Sequence, residues 1–209
     1  MIKKIAEACE LFYLHFAVRG YEWLEQRRVR KQFYQNPLYK ALDQTVIKGP
    51  NPYRMKEAFP YGETPLCSLK KIADRFGLKS TDKVVDLGCG RGRGVFFLAQ
   101  HFECAVTGID QVGAFIERAN RLAKECQGLK VSFICDDMRK FDFSQATFVF
   151  FYGTTFSEEF VSELKQALKA LPKGSKVVTV SYPLDGLELI DQFSLPFNWG
   201  SGEVYLHLV

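Results

Sequence analysis

The sequence lacks the cysteine and histidine spacings of a metal module. Its six cysteines (Cys9, Cys67, Cys89, Cys104, Cys126, Cys135) are scattered, none forms Cys-x-x-Cys, and only three histidines accompany them. That pattern argues against a zinc site or a disulfide framework and for a reducing compartment. Long apolar runs are missing as well. The longest near the start, Leu11 to Val18, contains His15 and is far shorter than the roughly 20 residues of a membrane-spanning helix. Met1-Ile2-Lys3-Lys4 has the basic start of a signal peptide, yet Glu7 and Glu10 interrupt the part that should be apolar, and no small-residue cleavage site follows. The expectation is an uncleaved, cytoplasmic chain. Internal repeats and low-complexity tracts are absent too, which argues against a solenoid or a disordered array.

A large charge excess is also lacking. The net charge is +4 over 209 residues, with 47% hydrophobic and 25% charged residues, the balance of a soluble globular domain. The excess is local. Residues 1–60 hold 11 Lys/Arg against 6 Asp/Glu, and residues 61–209 hold 17 against 18. The N-terminal stretch could therefore meet an acidic protein, a membrane surface or a nucleic acid, or simply present a solvated helix face. Its apolar positions Ile5, Cys9, Phe12, Phe16, Tyr21, Leu24 and Val29 have helical spacing, with Gly20 dividing two helices. The aromatic stripe Phe12, Tyr13, Phe16, Tyr21, Trp23 reads as packing against a core, with an interfacial membrane helix as the alternative. Lys48-Gly-Pro-Asn-Pro-Tyr53 reads as a loop.

From residue 64 helices alternate with short apolar strands. Helices are predicted over 65–77, 93–102, 113–127 and 157–171. Strands are predicted over 83–87, 105–109, 131–135, 147–152 and 176–182. Residues 187–194 and 203–208 then form an antiparallel pair around the turn-rich 198–202. The fold class this predicts is α/β: a doubly wound, mostly parallel seven-stranded sheet with an antiparallel C-terminal hairpin, plus a helical N-terminal extension. The boundaries are 1–60 for the extension, expected as a lid that shapes the substrate entrance, and 61–209 for the domain.

Val84-Val-Asp-Leu-Gly-Cys-Gly-Arg-Gly-Arg-Gly94 leaves the first strand and opens a helix, the place where doubly wound sheets bind nucleotides. It is not a dinucleotide fingerprint. Counted from Gly88 the third glycine of Gly-x-Gly-x-x-Gly falls on Arg93, and counted from Gly90 it falls on Val95. Asp86 repels a pyrophosphate but suits a cationic ligand. Asp86-x-Gly88-x-Gly90 after a strand resembles motif I of the class I S-adenosylmethionine-dependent methyltransferases, a resemblance covering roughly residues 60–209. It implies S-adenosylmethionine as cofactor, with Asp86, Gly88 and Gly90 at its methionyl end. Asp110, with Gln111 beside it, ends the second strand where that family binds the ribose hydroxyls. Asp137 and Met138 follow the third strand, where relatives meet the adenine, and Asp136 is the alternative by one register.

Tyr61-Gly-Glu-Thr64 resembles the loop with which non-SET histone-lysine methyltransferases close over the cofactor, which adds Tyr61, Glu63 and Thr64 to the cofactor-binding residues. Phe150 to Glu159 is similar to the loop after their fourth strand, and Tyr152 joins the cofactor residues there. Val177 to Leu184 resembles the small lysine methyltransferases of mitochondria and archaea. The sequence departs from the histone enzymes in carrying Tyr152-Gly153-Thr154 where they carry Asn-Asn-Phe. The resemblance points to methyl transfer to a lysine of a protein substrate, with Tyr152 and Glu63 near the reacting centre and Tyr61, Phe156 and Tyr182 as further channel aromatics. His101 is expected as a cation in the last turn of its helix. A small-molecule or lipid methyltransferase is the alternative, and a non-catalytic cofactor-binding scaffold is the alternative of another class. A nucleic-acid substrate is disfavoured by the absence of Asn/Asp-Pro-Pro-Tyr after the fourth strand. Peripheral membrane contact through the extension stays open.

Overall fold

The computed structural model describes residues 64–126, 128–152, 156–197 and 200–209. The extension over residues 1–60, and with it Tyr61 and Glu63, lies outside the described residues. The chain divides into two compact units: a larger one of Lys70–Ser194 with Glu203–Val209, and a smaller one whose described residues are 64–69, 195–197 and 200–202. Within the smaller unit the Ser68 hydroxyl donates to the Pro196 carbonyl at 2.6 Å.

The elements run α1 (Leu66–Arg75), β1 (Lys83–Leu87), α2 (Arg93–Phe102), β2 (Ala105–Asp110), α3 (Gly113–Glu125), β3 (Val131–Cys135), a 3-10 turn (Met138–Lys140), β4 (Phe148–Tyr152), α4 (Glu158–Leu168), β5 (Lys176–Val180), β6 (Glu188–Phe197) and β7 (Gly200–Leu208). They build one seven-stranded sheet in the order β3-β2-β1-β4-β5-β7-β6. Strands β1 to β5 are parallel, and β7 pairs antiparallel with β5. The central strands need no polar face because both sides are covered, so they read as unbroken apolar runs such as Phe148-Val-Phe-Phe-Tyr152.

Side-chain alternation divides the core between two faces. Val85, Leu87, Ile109, Val149, Phe151 and Val177 pack with Leu164 and Leu168 of α4. Asp86, Gly108, Phe133 and Phe150 occupy matching register positions whose side chains point the other way. On that face α2 lies against β2 and β3, and its Phe96 ring is 5.1 Å from Phe133. α4 starts where Ser157 accepts from the Phe160 amide at 3.2 Å, with Glu158 and Glu159 in its positively polarised first turn.

The seven strands and the antiparallel ending match the sequence reading, with shifts at the joints. Only a 3-10 turn lies between β3 and β4. β5 stops at Val180 because Ser181 takes φ +79°, outside strand geometry. β6 runs on to Phe197, and β7 begins at Gly200, inside the segment expected as a turn. β6 is the edge strand, so Pro196 costs it no ladder bond on its open side. Among the described residues no helix is long and apolar enough to cross a membrane.

Candidate functional site

The strand order changes direction at β1. The chain lays β2 and then β3 on one side of β1, and returns to place β4 on its other side. Ligands of open α/β sheets bind in the crevice at the carboxyl ends of strands around such a switch point. The glycine segment leaves β1 there. Gly88, Gly90 and Gly92 take φ +78°, +53° and +81°, values that side chains strain to adopt. The Gly88 and Cys89 amides donate to the Ile109 carbonyl at 2.9 and 3.0 Å, tying the loop to the end of β2.

Asp110 completes that tie. Its Oδ2 accepts from the Gly90 amide and its Oδ1 from the Val112 amide, both at 2.9 Å. Each oxygen has a further lone pair beyond these bonds, together the number a vicinal diol needs. Two glycines set how close the layers come. A Cβ on Gly92 would stand 2.4 Å from the Phe133 ring, and one on Gly108 would stand 2.7 Å from Cys89 Sγ and 2.8 Å from Val95 Cγ2. Gly108 in β2 is a site-shaping residue that the sequence reading missed; a glycine inside a strand was its available signal. At Gly88 an added Cβ would meet nothing nearer, among the described residues, than Met138 Cε at 3.8 Å.

Asp86 is the electrostatic centre. It is 7% exposed, and no hydrogen bond to its carboxyl exists among the described residues. Burial first, then the Asp110 carboxylate, push its pKa up to about 7. Burial, with Asp86 and Asp110 behind it, also raises the Cys89 thiol, which makes that cysteine a packing group rather than a nucleophile. A buried carboxyl beside a second one, with no hydrogen-bond partner among the described residues, fits a ligand that brings positive charge. The ammonium and sulfonium of S-adenosylmethionine meet that demand, and its ribose suits Asp110.

At the end of β3 the two acids differ. Asp137 caps the 3-10 turn, accepting from the Arg139 amide at 3.0 Å, and is ion-paired with the Arg139 guanidinium. The Arg139 hydrogen bond holds its carboxyl below the usual range. Arg139 also pairs with Glu163 of α4 and lies 4.6 Å over the Phe160 ring. Asp136 is exposed and accepts from the Asp137 amide at 2.7 Å. Met138 is buried at the head of the turn. Gln111 is exposed, and its carbonyl accepts from the Cys135 thiol at 3.7 Å.

The structure thus gathers Asp86, Gly88, Gly90, Asp110 and Met138 at the ends of β1 and β2, with Gln111, Asp136 and Asp137 along the β2–β3 end. Tyr152 ends β4, half-buried and in register with Val180 of β5. Thr64 is half-buried in the smaller unit, just ahead of α1. Phe156 is taken by the core, its ring 4.5 Å from Phe160 and 5.4 Å from Phe151. His101, expected as a cation, stacks on Phe97 at 5.4 Å, and burial, then Lys70, lowers its pKa. Among the described residues no cluster of His, Cys, Asp and Glu could hold a metal ion.

The model of the ANTKMT methyltransferase domain matches residues 86–191, about half of the chain and the whole span from Asp86 to the edge strand. Phosphoethanolamine N-methyltransferase 3 of Arabidopsis thaliana is 30% identical over 151 residues, 68% of this chain and 30% of that protein. Phosphoethanolamine N-methyltransferase 1 of Triticum aestivum is 34% identical over 88 residues, 40% of this chain and 17% of that protein. The chain therefore spans less than a third of either relative. Among solved structures, an RNA methyltransferase from Salinibacter ruber in complex with S-adenosyl-L-homocysteine is 25% identical, with a TM-score of 0.60 over 70% of this chain and 93% of that one.

Proposed function

The chain belongs to the ANTKMT methyltransferase family and is an S-adenosylmethionine-dependent methyltransferase, and on that premise we propose that it methylates the side-chain amine of a lysine in a protein. The sulfonium of the bound cofactor supplies a methyl group that is already activated. What is left to the chain is to bind, to align and to exclude water. Asp86 balances the cofactor's positive end, Asp110 takes the ribose, and the turn at Asp137–Met138 takes the adenine. An acceptor then approaches over β4 and β5, the half of the carboxyl edge those residues leave open.

The observation that supports an amine best is the apolar end of β4. Phe150 and Phe151 are buried, and Tyr152 is half-buried beside them. A lysine with a pKa of about 10.4 in water must lose its proton before it can attack, and apolar surroundings favour the neutral amine. Tyr61-Gly-Glu-Thr64 and Val177–Leu184 support a lysine through their resemblance to lysine methyltransferases. The curated relatives, named for N-methylation of phosphoethanolamine, favour as second reading a small free amine.

The test is transfer of labelled methyl groups into a cell extract separated into protein and small-molecule fractions, followed by hydrolysis of the protein. Methyl-lysine in the hydrolysate is the expected outcome. Label confined to small molecules would replace this reading with the second one. The basic excess of residues 1–60 supports contact with an acidic protein or an anionic membrane surface. Deleting residues 1–35 is then expected to abolish sedimentation with anionic vesicles, and unchanged sedimentation would remove the membrane arm.

A further inference from the structure

The segment after β5 is built in an unusual way. β5 ends at Val180, in register with Tyr152 on one side and Val204 on the other. Ser181 continues the pairing through its amide, which donates to the Glu203 carbonyl at 2.8 Å. Its φ of +79° is nevertheless in the left-handed region, where no glycine relieves the side chain. Beyond it the chain reverses, and two buried polar side chains hold the reversal. The Thr179 hydroxyl, 1% exposed, donates to the Tyr182 carbonyl at 2.7 Å. The Leu184 amide donates to Nε2 of His207 at 3.0 Å, and Nδ1 of His207 faces the Val177 carbonyl at 3.3 Å. His207 is fully buried, and burial lowers its pKa. A neutral ring protonated at Nδ1 satisfies both contacts.

Leu184 leaves this turn for the core. Tyr182 goes the other way and is 66% exposed, the most exposed of the large apolar side chains among the described residues. Its backbone is pinned on both sides, so the exposure is a fixed display. The display sits past the carboxyl end of β5. That is two strands from β1, a separation of about 10 Å at the usual strand spacing of about 4.8 Å.

We propose that Tyr182 is a wall of the methyl-acceptor site, and that Thr179 and His207 are positioning residues that fix it there. The inference rests on the reading that the acceptor lies over β4 and β5, and names the residue that recognises it. A tyrosine face suits an amine in both of its states: it attracts the ammonium on arrival and excludes water from the neutral amine that reacts.

The test compares the wild type with Tyr182→Ala, Tyr182→Phe and Thr179→Val. Labelled transfer is titrated against the extract fraction that the wild type labels, and S-adenosylmethionine affinity is measured by calorimetry. For Tyr182→Ala the extract concentration giving half-maximal labelling should rise at least fivefold, with cofactor affinity within twofold of wild type. Tyr182→Phe should stay within twofold on both. Thr179→Val, which leaves Tyr182 in place but frees its backbone, should show a smaller rise with the same cofactor affinity. Unchanged half-saturation in Tyr182→Ala overturns the proposal, as does a loss confined to cofactor affinity or thermal stability. If the wild type labels only small molecules, the lysine reading fails, and Tyr182 is judged by the same comparison on that fraction. A wild type that labels neither fraction overturns both.

Discussion

The carboxyl edge of the sheet is made in two different ways. Along β1, β2 and β3 it consists of backbone and charge: three left-handed glycines, the Ile109 carbonyl receiving two loop amides, and Asp110 holding Gly90 and Val112. Along β4 and β5 the described residues present side chains, with Tyr152 at one strand end and Tyr182 beyond the other. A half built from backbone tolerates few residue types at each position and accepts one kind of ligand. A half built from side chains can change its ligand by changing a ring. A cofactor shared by many enzymes suits the first half, and an acceptor that differs among them suits the second.

The comparison can be broken most severely at Gly92. Gly92→Ala places a Cβ against the Phe133 ring at φ +81°. Overpacking of about 1–3 kcal/mol and left-handed strain of about 1–2 kcal/mol should together lower the melting temperature by roughly 10 °C, measured by differential scanning calorimetry. A melting point within 2 °C of wild type, by about the same scaling, would show that the loop has more slack than its contacts suggest.

Next in size is the pH response of Asp86. Its pKa rises on folding from the ordinary carboxylate value to about 7. Between those values the native state keeps a proton that the unfolded chain has lost. This group's contribution to the stability of the free protein therefore falls as pH rises from about 4 to 7, by up to about 4 kcal/mol. A cationic ligand reverses the sign. It favours the ionised carboxylate, so S-adenosylmethionine should bind more tightly as pH rises toward 7 and should release a proton at pH 6. Calorimetry in buffers of different ionisation enthalpy reads that proton, and Asp86→Asn should abolish it.

Asp110→Ala comes third. It removes the proposed ribose acceptor and frees two loop amides, with a loss of roughly 1.5–3 kcal/mol, so cofactor affinity should fall tenfold or more in a folded protein. A normal calorimetric affinity would sink the ribose assignment. The smallest effect belongs to the other half. Tyr152→Ala should lower turnover several-fold, about 1 kcal/mol of acceptor alignment, while calorimetry gives a cofactor affinity near that of wild type. Equal losses of affinity and turnover would erase the division between the halves.

The same division governs what the sequence made legible. Strand–helix alternation and Asp-x-Gly-x-Gly lead directly to the parallel sheet and its switch point, because glycine at positive φ and acids at strand ends are local requirements written in residue type. Gly108 escaped because the need for it is tertiary: Cys89 and Val95, far from it in the chain, occupy the space of its Cβ. The end of β5 escaped because Ser181 carries no outward sign of its left-handed backbone. His101 was misread for a similar reason: its position in the helix predicts a cation, and burial, then the nearby Lys70, lowers its pKa instead. The hairpin was placed correctly but too short, since glycines that usually signal a turn are carried inside β7.

The strand order also sets when the crevice can exist. β1 is hydrogen-bonded to β4, with Val84 opposite Phe148 and Leu87 opposite Phe151, 64 residues apart along the chain. The switch point is the seam between these two strands. A nascent chain that has released the glycine loop but not yet Phe148 to Tyr152 has the cofactor motif without its floor, and leaves one long edge of β1 unpaired. Closing a loop of that length comes late in folding and slows it. In refolding followed by stopped flow, recovery of cofactor binding should therefore lag behind the helical signal of α2 and α3, whose contacts with β2 and β3 are local.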